Sequence, residues 1–155
     1  MDTTVYEKLL NAAFRFVSFR MRSKKEITDF LYKKIKLWNL TVDGEVERVM
    51  DRLHEYGHVD DKKFAAWWVE QRNNFRPKGR RAIVAELRNK GVTEEIEFDE
   101  LASARASVLK KIRLWSMLPV LEQKKKLYSY LTLSGFTSTT VRKIIDESVK
   151  KDYNE

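Results

Sequence analysis

Two histidines and a glutamate offer the most recognisable chemistry in this chain. His54-Glu55-Tyr56-Gly57-His58 fits the H-E-x-x-H pattern of zinc proteases. In that pattern the two imidazoles converge on a metal from one helical turn, and the glutamate polarises the metal-bound water. The chemistry requires an unbroken helix through the second histidine. Here Gly57 lies between the two, directly after the apolar stripe Val46, Val49, Met50 and Leu53, and Asp60-Asp61 then opens a new helix. The spacing therefore predicts His54 in a last helical turn and His58 beyond it, with no metal bound. No other histidine is present, so a third ligand would have to be a carboxylate. In place of the zinc reading, His54 is a basic side chain near a helix C-terminus, where the dipole favours it.

No other catalytic set emerges. The sequence has no glycine-rich phosphate loop, no Ser-His-Asp arrangement beyond accident of composition and no carboxylate pair in a recognisable pocket. With no cysteine, thiol catalysis and disulfides are excluded, and the composition suits a reducing cytoplasm. No cofactor is implied. The beginning of the chain lacks a basic segment before an apolar run, so no signal peptide is expected, and no apolar run approaches a membrane span.

Charge points elsewhere. The formal net charge is +8 and the isoelectric point about 9.6, a balance that favours polyanionic partners: nucleic acid, a nucleoprotein complex or an anionic membrane face. The cations cluster. Arg20, Arg22, Lys24, Lys25, Lys33, Lys34 and Lys36 form one group; Arg72, Arg76, Lys78, Arg80, Arg81, Arg88 and Lys90 form another; Lys124, Lys125 and Lys126 form a third. Any single one of these is expected to be a solvated, salt-screened surface charge. Their recurrence at equivalent places in a repeat is what marks them as a binding stripe. A compact acidic segment, Glu94, Glu95, Glu97, Asp99 and Glu100, contrasts with them. Phe64, Trp67, Trp68 and Phe75 make an aromatic helix, read mainly as core and inter-repeat contact, with Phe64, Trp68 and Phe75 on one stripe. Base stacking on an exposed tryptophan is the functional alternative.

The elements that carry these residues are helical. Apolar residues recur at i, i+3 and i+4: Tyr6, Leu9, Leu10, Ala13, Phe14 and Val17; then Ile27, Leu31 and Ile35; then Val46, Val49, Met50 and Leu53. Only five glycines and two prolines interrupt 155 residues. Ser23 with Glu26 forms a capping box, Asp60 or Asp61 caps the aromatic helix, and Thr93 before Glu94 and Glu95 predicts another start. Gly57, Gly91 and Gly135 follow helical stripes as C-terminal stops. The pattern predicts about nine short helices and no strands.

An internal repeat runs through them. Lys25-Glu26-Ile27 leading to Leu31, Arg81-Ala82-Ile83 leading to Leu87 and Lys126-Leu127 leading to Leu131 are alike, and Gly91-Val92-Thr93 matches Gly135-Phe136-Thr137. Val46–Asp51 parallels Val141–Asp146. The expected organisation is three three-helix repeats over residues 1–57, 58–101 and 102–155, stacked because each alone buries too little apolar surface.

The central stretch resembles the RecX family of bacterial recombination regulators. The resemblance lies in Leu53, Tyr56-Gly57, Val59, Asp60-Asp61, Phe64-Ala65, Arg72, Lys78-Gly79, Ile83, Glu86-Leu87 and Lys90-Gly91-Val92. These matches are ordered over about forty residues. Arg80 departs from the pattern, standing where the family commonly has proline, which removes a fixed φ at a helix entry and adds a charge. The resemblance implies an all-α fold of three tandem three-helix repeats in a curved, elongated stack. It implies a monomer that binds the RecA recombinase along its filament on DNA and modulates, usually inhibits, its ATPase, strand-exchange and coprotease functions in recombination, DNA repair and the SOS response. It implies no catalysis by the protein itself. Nucleic acid would be met through the filament or directly as single-stranded DNA. Tyr56, Gly57, Asp60, Asp61, Phe64, Gly79, Leu87 and Gly91 read as structural members of the motif. A helical DNA-binding protein that acts alone is the rival reading.

Overall fold

The computed structural model describes residues 3–149; the outer limits of the first and third expected repeats lie beyond these. Eight α-helices and no strands are formed among the described residues: α1 (Val5–Phe19), α2 (Lys24–Leu37), α3 (Glu45–Glu55), α4 (Asp61–Asn74), α5 (Arg80–Asn89), α6 (Glu100–Trp115), α7 (Val120–Leu133) and α8 (Ser138–Ser148). The fold is an all-α helical repeat. None of the described helices is long and apolar enough to cross a membrane.

The chain divides into two compact units. The first comprises residues 1–67 and 87–95, the second residues 68–86 and 96–155. In the first, α1, α2 and α3 bury Leu9, Ala13, Ile27, Leu31, Val46, Val49, Met50 and Leu53, one or two from each turn of the expected stripes. Each fully buried leucine or isoleucine contributes about 2 kcal/mol. Capping boxes fix two helix starts: Thr4 with Glu7 begins α1, and Ser23 with Glu26 begins α2. Ser23 is completely buried and its Oγ also donates to the Lys90 carbonyl at 2.7 Å. One side chain thereby stops an orphan amide in α2 and anchors the end of α5.

In the second unit α6, α7 and α8 close on Ala104, Val108, Leu127, Leu131, Phe136, Val141 and Ile144. Gly79 meets the backbone of Gly135 so closely that a Cβ there would lie 2.3 Å from its carbonyl carbon and oxygen, and the Gly79 N–H donates to the Ser134 carbonyl at 2.9 Å. Glu100, at the start of α6, accepts from the Thr137 amide at 2.6 Å and the Thr137 hydroxyl at 2.9 Å.

Two expectations require correction. No helix starts at Thr93: residues 92–99 are non-helical, and the next helix is capped instead by Asp99, whose Oδ1 accepts from the Ala102 amide at 3.1 Å. The acidic run supplies too many like charges at i, i+3 spacing for an isolated turn, and the Arg80 guanidinium donates to the carbonyls of Ile96 (3.3 Å) and Phe98 (3.1 Å), groups a helix would have used internally. Phe75 is not on a buried stripe with Phe64 and Trp68: it is 67 % exposed just beyond the end of α4, while Phe64, Ala65 and Val69 carry the buried face.

Candidate interaction surface

α3 ends at Glu55, Gly57 takes φ +79°, and the Gly57 and His58 amides donate to the His54 and Leu53 carbonyls at 2.9 Å each. This is a Schellman-type stop. His58 lies beyond it, its ring edge-on to Phe14 at 5.9 Å. The turn that would aim both imidazoles at one metal is thus replaced by a helix end. The neighbouring motif residues have local structural contacts: Tyr56 packs edge-on to Phe14 at 5.4 Å, Asp60 accepts from the Lys63 amide at 3.1 Å, Asp61 accepts from the Lys24 amide at 2.9 Å, Phe64 and Leu87 are buried, and Gly91 takes φ +75° against the Lys25 side chain.

Fifteen of the seventeen clustered cations, all but Lys36 and Lys126, fall into two groups. Several are engaged within the fold. Arg20 pairs with Glu26 at 2.6 Å and lies 5.6 Å from the Trp67 ring centroid. Arg22 donates to the Phe16 carbonyl at 3.1 Å and covers the Phe16 ring at 3.9 Å; burial and then the nearby Arg20 charge hold its pKa below the ordinary arginine value. Lys25 pairs with Asp29 at 2.8 Å, and Lys90 meets Glu26 at 3.5 Å. Lys34 lies over Phe30 and Trp38 at 5.5 and 5.0 Å. Arg80 is the carbonyl clamp already described, and its amide donates to Glu100 at 3.3 Å, a bond that proline at this position could not make.

Glu86 is a hub that the spacing did not reveal. Its carboxylate takes Arg72 at 2.8 Å, Lys78 at 2.9 Å and the Trp68 indole N–H at 2.7 Å. Burial opposes ionisation of Glu86, but these three donors outweigh it and its pKa lies below the ordinary glutamate value. Glu26 is similar: burial pushes its pKa up, and the hydrogen bonds from Arg20 and the Ser23 amide, with the Arg20 and Lys90 charges, bring it down overall. Both tryptophans of α4 are half-buried and engaged, Trp67 with Phe64 and Arg20, Trp68 with Glu86 and Arg72.

The second group consists of exposed cations without an ion pair among the described residues: Lys24, Lys33, Arg76, Arg81, Arg88, Lys124 and Lys125. Arg76 is presented from a left-handed backbone, φ +56°. In the first unit Lys25, Lys33 and Lys90 share the wall of one shallow cleft with Glu26 and Asp29. Such groups can attract phosphate or carboxylate, but they arrange no general acid, base or nucleophile. Among the described residues no three histidine or carboxylate side chains are grouped to hold a metal ion.

Fold and surface together define an all-α helical-repeat protein with exposed clusters of cations. The family model described as the second three-helix domain of RecX matches residues 60–96. A regulatory protein RecX of Prosthecochloris aestuarii is 32 % identical over 158 aligned positions, covering 95 % of this chain and 97 % of that one. The chain belongs to the RecX family of regulatory proteins. A crystal structure of a regulatory protein RecX superimposes with a TM-score of 0.72 at 26 % identity, covering 91 % of this chain and 73 % of that one. The crystal structure of RecX from Lactobacillus salivarius has the same fold, with a TM-score of 0.69 at 22 % identity over 92 % of this chain and 95 % of that one.

Proposed function

We propose that this chain regulates the RecA recombinase, most directly by inhibiting it, and that it does so by binding along the RecA–DNA filament rather than by catalysis. Membership of the RecX family carries this reading. The exposed cations support it: Lys33, Arg76, Arg81, Arg88, Lys124 and Lys125 have no ion pair among the described residues to compete with acidic protein surface or phosphate. Contacts that span neighbouring protomers oppose the rearrangements that accompany ATP turnover, so ATPase, strand exchange and coprotease activity fall together.

The engaged and free cations divide the expected stripe into residues suited and unsuited to a binding test. Reversing Arg20 or Arg72 would break Glu26 or Glu86 pairs and confuse folding with binding. Lys33 and Arg81 are exposed and have no such ties among the described residues. Lys33→Glu and Arg81→Glu should therefore leave the melting temperature unchanged and weaken co-sedimentation with RecA filaments on single-stranded DNA by roughly tenfold each, the scale of one or two lost charge contacts. Normal co-sedimentation of both variants would remove the basic stripe from the account. Tight binding to bare DNA with a steep salt dependence, and no gain from RecA, would favour the stand-alone DNA-binding reading.

A further inference from the structure

The first unit holds a second surface, of which the basic stripe includes only Lys34. The C-terminal half of α1 and the outer face of α2 enclose a cleft of about 250 Å³, walled by Arg15, Phe16, Phe19, Phe30, Lys34 and Trp38. Helical spacing builds it: Arg15 and Phe19 are one turn apart on α1, and Phe30 and Lys34 on α2 and Trp38 at its C-cap follow at successive i, i+4 steps. No carboxylate lines it. Neither Arg15 nor Lys34 has an ion pair among the described residues. Phe19 is 83 % exposed, an aromatic side chain at the lip with little of its surface covered by the fold.

The ring geometry selects the occupant. Phe16 stacks on Phe30 with centroids 4.1 Å apart and planes within 3°, and the Arg22 guanidinium lies 3.9 Å over the Phe16 ring, so Phe16 is closed on both faces. Trp38 carries the ammonium groups of Lys8 at 4.5 Å and Lys34 at 5.0 Å. Successive nucleobases need successive open π-faces, and of these rings only Phe19 is exposed. An apolar side chain needs apolar walls alone. The cleft is also smaller than the roughly 300–1,000 Å³ typical of small-molecule sites, a size suited to one bulky side chain. The cations at its rim then require carboxylates beside that side chain.

We propose that this cleft docks an acidic protein segment bearing one bulky apolar side chain, which seats among Phe16, Phe19, Phe30 and Trp38 while flanking carboxylates meet Arg15 and Lys34. This goes beyond the RecA reading and stands apart from it, because it specifies the chemistry of a bound segment and is tested without RecA.

The test is fluorescence anisotropy with the full chain and three fluorescein-labelled probes: Asp-Asp-Glu-Phe-Glu-Asp-Asp, the same peptide with glycine for phenylalanine, and a short oligothymidylate. The expected result is affinity for the phenylalanine peptide at least about tenfold above the glycine peptide, the scale of one aromatic anchor. Arg15→Glu and Phe19→Ser should each lower it by about tenfold with an unchanged melting curve. Phe19 is exposed and Arg15 unpaired, so two independent variants retain the fold; were one to unfold, the other decides. Equal affinity for the two peptides, or full affinity in a folded variant, overturns the proposal. Oligothymidylate binding that both variants abolish assigns the cleft to nucleic acid and overturns it equally.

Discussion

Glu86 and Gly79 are single residues on which much of the second unit depends, for opposite physical reasons. Glu86 concentrates Arg72, Lys78 and the Trp68 indole on one partly buried carboxylate. Glu86→Gln leaves two cations facing a neutral amide and should cost roughly 2 kcal/mol, read as a lower urea midpoint with an unchanged slope. The same carboxylate sets a pH dependence. Its folded pKa is depressed, as is that of Glu26, so their stabilisation is fully present above the ordinary glutamate range and is lost as pH falls through the folded values. The melting temperature should therefore drop as pH falls through and below the ordinary glutamate range, and Glu86→Gln should flatten part of that drop. A wild-type melting temperature constant across this range would contradict the assignment. At Gly79 the constraint is space: a Cβ 2.3 Å from the Gly135 backbone cannot be accommodated without moving one chain segment, and Gly79→Ala should destabilise by roughly 3 kcal/mol, measured by the same denaturation. The motif placed Gly79 among structural residues, but sequence alone did not reveal its partner at Gly135. Glu86 appeared only as part of a Glu-Leu pair, because its three donors come from positions 8 to 18 residues away and no local spacing signals them.

At the scale of elements, the helices and their stops were the most legible part of the sequence. The stripes through Leu9, Ile27 and Val49 are buried as their periodicity requires, and the Ser23–Glu26 capping box and the positive φ of Gly57, Gly91 and Gly135 sit where the punctuation put them. Local chemistry decided those features, so local reading sufficed. It failed at residues 92–99, where Thr93-Glu94-Glu95 imitates a helix start but a distant side chain, Arg80, takes the carbonyls of Ile96 and Phe98. The residue that departs from the family pattern is thus the one that holds the segment out. Arg80→Met should release it: cleavage by a Glu-specific protease at Glu94, Glu95 and Glu97 should accelerate several-fold while the far-ultraviolet helical signal stays constant. Unchanged cleavage would mean that the clamp does not hold this segment. Sequence reading also missed the aromatic cleft of α1 and α2. Arg15, Phe19, Phe30, Lys34 and Trp38 carry the i, i+4 signal, but their convergence depends on how two helices pack.

At the scale of the whole molecule, charge and family are the two supports of the proposed action on a RecA filament. The net charge of +8 is divided by the fold into cations that hold the structure and cations that face outward, and the latter are the candidates for contact with RecA and DNA. The exposed set gives association a salt dependence, because screened surface charges contribute less as ionic strength rises. The most direct test is the DNA-dependent ATPase of RecA on single-stranded DNA, followed as the purified protein is added at well below one molecule per RecA. The rate should fall progressively, and the inhibition should weaken as salt is raised. An ATPase rate unchanged at every ratio and every salt concentration, with filaments of undiminished length, would contradict the account.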